Sequence, residues 1–126
     1  MNYWAILVAA VGSFALGGLW YSQALFGKAW ARDAGVGAQS GHQGRIFAVS
    51  FVWALVAAVA FAWVLGPEAT LSRGLRLGAI VGIAFVAASF GINYQFSRRT
   101  LTLWAIDGGY HTAQFLLYGA ILGLWH

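Results

Sequence analysis

Residues 46–65 read IFAVSFVWALVAAVAFAWVL, a run of 20 residues without one charged side chain. A helix needs about 20 such residues to cross the ~30 Å hydrocarbon core of a bilayer. Gly66-Pro67 closes the run, because a glycine followed by proline ends a helix. Three further stretches have the same character. Taken together they predict spans over residues 3–22, 46–65, 75–96 and 103–125.

The first run lacks any basic residue at Met1-Asn2-Tyr3-Trp4, so it reads as a retained helix and not as a cleaved signal. The expected architecture is an all-α membrane protein, one domain over residues 1–126. It has four transmembrane helices and a short interfacial helix after the first. Composition agrees: of 126 residues 61% are hydrophobic and 8% charged, against about 25% charged in a soluble domain. So few charges cannot solvate a globular surface. Seventeen glycines and a single proline suit straight, closely packed helices.

Seven basic residues give a net charge of +4, yet they are scattered among apolar runs, which excludes a nucleic-acid binder. Lys28, Arg32 and Arg45 follow the first span, and Arg98 and Arg99 follow the third. Arg73 and Arg76 hold the opposite side. The positive-inside rule then puts the five-charge side in the cytoplasm of an inner-membrane, multi-pass protein with both termini outside. Trp20, Tyr21 and Trp30 suit an aromatic belt, and Lys28, Arg32, Arg98 and Arg99 suit contacts to lipid headgroups. Within the longest connection, Ala24 to Arg32 predicts an interfacial helix with Leu25, Phe26 and Trp30 on one arc. Gly35 to Gly44 reads as a flexible loop in which His42 is a solvated side chain. The absence of cysteine excludes disulfides, thiol catalysis and iron–sulfur ligation.

Gly18-Leu19-Trp20-Tyr21-Ser22, followed by Leu25-Phe26-Gly27-Lys28 and Trp30, forms a hallmark at the end of the first helix. Asn93-Tyr94 with Phe96 and Arg99 forms a second. Gly109-Tyr110-His111, continuing to Gly119-Ala120-Ile121-Leu122-Gly123 and Trp125, forms a third. With these stretches the chain resembles an uncharacterised bacterial membrane family, domain of unknown function 1761, over nearly its whole length. The resemblance implies a four-helix membrane protein and supplies no activity, substrate or site. Gln23 stands where the family carries proline, so no sharp turn is required after the first helix.

Asp107, His111, Gln114 and Tyr118 are spaced by four, three and four residues, which places them within an arc of about 60° on one helix face. An Asp at the centre of a span costs about 2.5–3.5 kcal/mol, so this face should meet protein or water. Two readings follow. In one, the stripe is a proton or ion path, with Asp107 as the acid and His111 as the relay. In the other, which is favoured, its groups hydrogen-bond across helices. Arg98 or Arg99 could pair with Asp107, and Asn93 is expected to find a partner on the stripe or on backbone carbonyls.

Gly74, Gly78 and Gly82 form two overlapping Gly-x-x-x-Gly steps, and Gly119 and Gly123 form another, while Ser13 and Gly17 repeat the theme. Such faces let backbones approach closely. One of them is open to self-association or docking. Ala54, Ala58 and Ala62 line the second span, and Phe47, Phe51, Trp53, Phe61 and Trp63 read as packing or lipid-facing groups. No catalytic residue or metal set is expected, because His42, His111 and His126 lack ligand spacing. No cofactor is expected, and bound lipid is. The function these features favour is a non-enzymatic interaction protein, a homo-oligomer or an accessory subunit of a membrane complex. The alternative is a small oligomeric proton or ion transporter.

Overall fold

The computed structural model describes residues 1–35 and 43–126, and they are all-helical, with no strand among them. Helix α1 runs Tyr3–Trp20, started by Asn2, whose side chain accepts the Ala5 N–H at 3.1 Å. A compact turn over residues 21–26 leads into α2, Gly27–Ala34. The turn is sharp with Gln23 inside it, contrary to the expectation that none was required. The Phe26 N–H donates to the Trp20 carbonyl at 3.1 Å and the Gly27 N–H to that of Ser22 at 2.9 Å. A side chain at Gly27 would collide with the Tyr21 carbonyl oxygen, so the turn requires glycine there.

Helix α2 sits later than the predicted stretch 24–32, because residues 24–26 belong to the turn. Gly35 ends it in the left-handed region, at φ 71°. Most of the glycine-rich loop, His42 included, lies outside the described residues. Gln43 and Gly44, counted with that loop, are already helical in α3, Gln43–Leu65.

Gly66, at φ 79°, turns the chain toward α4, Leu71–Phe96. Thr70 caps it by accepting the Arg73 N–H at 3.1 Å, so the helix starts four residues before the predicted span. Arg73 and Arg76 sit in its opening turns. Between the α-helical stretches Leu71–Ala79 and Ala88–Phe96, residues Ile80–Ala87 have the wider turns of a π-helix, for which the sequence carries no signal. Thr100 caps the last helix, α5, Leu101–Leu124, accepting from Leu103 at 3.0 Å.

Three helices are long and apolar enough to cross a membrane, not four: α1, α3 over Gly44–Leu65, and α4. Helix α5 has the length, but Asp107, His111 and Gln114 lower its mean hydropathy. The same helix touches all the others. Its buried residues include Leu103, Asp107, Gln114, Phe115, Tyr118 and Leu122. The fourth span expected from length is therefore the central helix of the bundle, whose polar groups are enclosed by the apolar ones.

The core gathers Ala5, Ile6 and Ala9 of α1, Ala58, Phe61 and Leu65 of α3, and Phe115, Tyr118 and Leu122 of α5. Small residues on α1 and α3 let the Phe61, Phe115 and Tyr118 rings meet, with centroids 5.5–6.2 Å apart. Of the aromatics on α3, Phe61 is buried and Phe51 packs edge-on against Phe14 at 5.4 Å, whereas Phe47, Trp53 and Trp63 are exposed.

Helices α4 and α5 approach at their glycines. Side chains on Gly74 and Gly119 would each collide with the other's carbonyl oxygen. One on Gly78 would strike the Phe115 carbonyl, and one on Gly82 would come within 2.7 Å of the Thr112 Cα. Gly123 meets Thr70 in the same way. Both glycine faces are thus occupied within the chain, and neither is left open for a second copy.

Candidate functional site

The polar face of α5 divides into two hydrogen-bonded groups. The first begins at His111, whose Nδ1 lies 2.6 Å from the Gln114 Oε1. The Gln114 Nε2 donates to the Tyr118 hydroxyl at 3.0 Å, so the amide oxygen is left to accept and the proton belongs on the His111 Nδ1. The Tyr118 hydroxyl has one proton, and it goes to the carbonyl oxygen of Ala54 on α3, 3.0 Å away. Ser13 Oγ stands 3.4 Å from the same hydroxyl but gives its own proton to the Ala10 carbonyl at 2.7 Å. The His111 ring is stacked on Phe90, 5.3 Å away and 14° from parallel, with Tyr110 edge-on at 4.9 Å.

The second group surrounds Asp107, which is 8% exposed. Tyr21 donates its hydroxyl to Oδ1 at 2.6 Å and Tyr94 to Oδ2 at 2.5 Å, so each carboxyl oxygen has one partner and spare lone pairs. Indole N–H groups fix the frame around it. Trp20 donates to the Ile106 carbonyl and Trp104 to the Ala87 carbonyl, each at 2.9 Å. Gly109 lets the Trp20 ring lie against α5, since a side chain there would meet it at 3.1 Å. Farther along, Tyr110 donates to the Ser13 carbonyl at 2.8 Å, its ring against Gly17.

The loop between α4 and α5 brings a cation to the edge of this group. The Arg98 N–H donates to the Gln95 carbonyl and the Arg99 N–H to that of Tyr94, with Arg98 in the left-handed region at φ 57°. This is a helix-ending motif in which Arg98 occupies the place usually held by glycine. Arg99 then reaches α2, its guanidinium donating to the Ala34 carbonyl at 3.1 Å. Beside it, Thr100 donates to Asp33 Oδ2 at 2.6 Å and Arg32 pairs with Oδ1 at 2.8 Å. These two donors, Thr100 first, hold the Asp33 carboxyl below its usual value. A crevice of about 280 Å³ opens between α2, the end of α4 and the start of α5, lined among others by Asp107 and Arg99.

Several expectations are corrected by this geometry. Neither Arg98 nor Arg99 pairs with Asp107. The ion pairs among the described residues are Arg32–Asp33 and an exposed Arg73–Glu68 contact at 3.7 Å. Asn93 is exposed and does not reach the α5 face; its neighbour Tyr94 does. Trp20 and Tyr21, expected to face headgroups, turn inward onto α5. Lys28, Arg32, Arg98 and Arg99 are exposed, as headgroup contacts require, and Trp30 is half-buried with its ring edge-on to Tyr21 at 5.7 Å. Ser13 and Gly17 do face the central helix.

Chemically, the first group cannot pass protons along its length. An amide nitrogen has no lone pair to accept a proton while donating another, so a relay from His111 to Tyr118 stops at Gln114. Nor does a hydrogen bond join Asp107 to His111 among the described residues. Every buried side-chain nitrogen and oxygen in those residues has a partner. A family model described as "Protein of unknown function (DUF1761)" matches residues 4–123. No curated protein and no solved structure matches the chain.

Proposed function

We propose a role for a chain that belongs to the DUF1761 family of proteins of unknown function: it is a non-enzymatic, multi-pass protein of the inner membrane. Four helices span the bilayer, α5 at the centre, with both termini outside the cytoplasm. The protein acts through its outer helix faces as a homo-oligomer or as an accessory subunit of a larger membrane assembly.

One observation carries this reading. The buried polar side-chain atoms of α5 are satisfied inside the chain, while the outward faces of α3 and α4 carry Phe47, Trp53, Trp63, Phe85 and Phe96. Hydrocarbon around such a bundle strands none of the polar side chains buried among the described residues, and the helices satisfy their own backbone groups, which is the governing requirement for a span. Because the glycine faces are occupied by each other, contact with a second protein falls to the exposed aromatic faces. Cross-linking of the chain in its native membrane tests this. Capture of the monomer alone, with nothing co-purifying, would overturn the interaction role.

The transporter reading loses ground at Gln114, where the relay is interrupted. In liposomes loaded with a pH indicator the protein is expected to carry no proton flux. A flux abolished by Asp107→Asn or His111→Ala, at unchanged folding, would reverse that ranking.

A further inference from the structure

The crevice between α2, the end of α4 and the start of α5 has an acceptor at its inner side and a cation at its rim. The Asp107 carboxyl group takes one hydroxyl on each oxygen, from Tyr21 and Tyr94, and keeps lone pairs to spare. Arg99 gives one N–H to the Ala34 carbonyl, which occupies one of its five donors. Both residues line the same space, of about 280 Å³, and no ion pair joins them. Trp30 and Tyr94 supply aromatic walls, and Asn93 and Ser97 supply polar ones. Two complementary groups held apart across an open crevice suit a small zwitterion better than a simple ion. A lone anion would meet the Asp107 oxygens, and a lone cation would meet the guanidinium.

We propose that this crevice binds the headgroup of an aminophospholipid, its phosphate on the Arg99 guanidinium and its primary ammonium on the Asp107 carboxyl group. The proposal rests on the membrane reading above and adds a ligand to it. A guanidinium suits a phosphate because several N–H donors can address its oxygens at once. A primary ammonium has three N–H donors for the free carboxyl lone pairs, and the Trp30 ring offers it a cation–π contact. A choline headgroup carries the same charge with no N–H to donate. A glycerol headgroup has no cation at all. The site therefore selects the amine and not the charge.

The full chain in neutral detergent is titrated with phosphatidylethanolamine, phosphatidylcholine and phosphatidylglycerol of identical acyl chains, and retained lipid is read by native mass spectrometry. Phosphatidylethanolamine is expected to bind roughly tenfold more tightly than the other two, the worth of one charge-assisted hydrogen bond. Asp107→Asn should erase the preference over phosphatidylcholine. Arg99→Gln, exposed and far less able to disturb folding, should weaken both zwitterionic lipids by a similar factor. Equal binding of all three lipids, a preference over phosphatidylcholine that survives Asp107→Asn, or lipid binding unchanged by Arg99→Gln overturns the proposal. Competition by soluble phosphoethanolamine at lipid-like concentrations would assign the crevice to a free zwitterion and overturn the lipid assignment. Co-flotation with vesicles is scored separately. Failure to float removes the membrane reading itself, whereas flotation without amine preference removes only the headgroup site.

Discussion

Gly74 of α4 and Gly119 of α5 face each other so closely that a side chain on either would overlap the other's carbonyl oxygen. Backbone meets backbone there, with no flexible side chain able to move aside. Phe115 and Thr112 continue the approach opposite Gly78 and Gly82. The π-helical turns Ile80–Ala87 surround the last of these contacts. The seam thus fixes how α4 lies along the helix that carries the polar groups.

Gly74→Ala or Gly119→Ala should therefore cost about 3 kcal/mol or more, at or above the upper end of what overpacking a well-filled interior usually costs. Gly18→Ala, where a Cβ would meet nothing within 4 Å, should be neutral or slightly stabilising. Reversible unfolding in mixed detergent micelles gives both numbers. Equal effects at Gly18 and Gly74 would refute the close approach.

Tyr118 is fully buried and joins α5 to α3 through the Ala54 carbonyl. Tyr118→Phe keeps the ring against Phe61 and Phe115 and removes only the hydroxyl. That removes one bond between helices, to Ala54, which on average is worth about 0.6 kcal/mol in a membrane protein, and one within α5, from Gln114, so the loss should be about 1 kcal/mol. Tyr118→Ala also opens a cavity and should cost about 3–5 kcal/mol. If the two variants were equally destabilised, the hydroxyl and not the ring would dominate.

The long helices were legible because each is built on an extended apolar run, and the α5 polar face because its spacing follows the helical period. The caps at Thr70 and Thr100 extend two helices past the boundaries that hydrophobicity alone suggests. Arg73 lies before the predicted span and is helical, because the Thr70 cap starts the helix at Leu71. Partners across the bundle were not legible. Asp107 and Tyr21 stand 86 residues apart, and nothing local distinguishes Tyr94, which reaches the acid, from Asn93, which does not. The glycine faces were visible as faces, but a pattern on one helix does not say whether its complement lies in the same chain.

Tyr21→Phe and Tyr94→Phe each take one donor from a carboxyl group that is almost wholly enclosed. Removing one partner of a buried acceptor costs about 1–3 kcal/mol. Each single variant should fall in that range. The double variant should depart from the sum, because both hydroxyls serve the same group. A thermal or denaturant double-mutant cycle reads the coupling, and strict additivity would show that the two tyrosines act independently. Asp107→Leu, which removes the acceptor along with its need for donors, should be better tolerated than the double tyrosine variant.

Asp33 ties α2 to the start of α5, accepting from Thr100 and Arg32. These donors hold its carboxyl below its ordinary 3.8. A depressed folded value gives stabilisation that is present above the unfolded value and lost as pH falls through the folded one. Docking of α2 should therefore be constant from neutral pH down to about pH 5 and weaken only below the ordinary carboxylate value. Protection of the α2 amides, taken against the intrinsic exchange rate at each pH, should fall in that acid window. Asp33→Asn should show the lower protection already at neutral pH, with its acid dependence gone. An α2 protection factor that is unchanged by both acid and the Asn substitution would mean that the Arg99 contact with Ala34, and not Asp33, holds this helix in place.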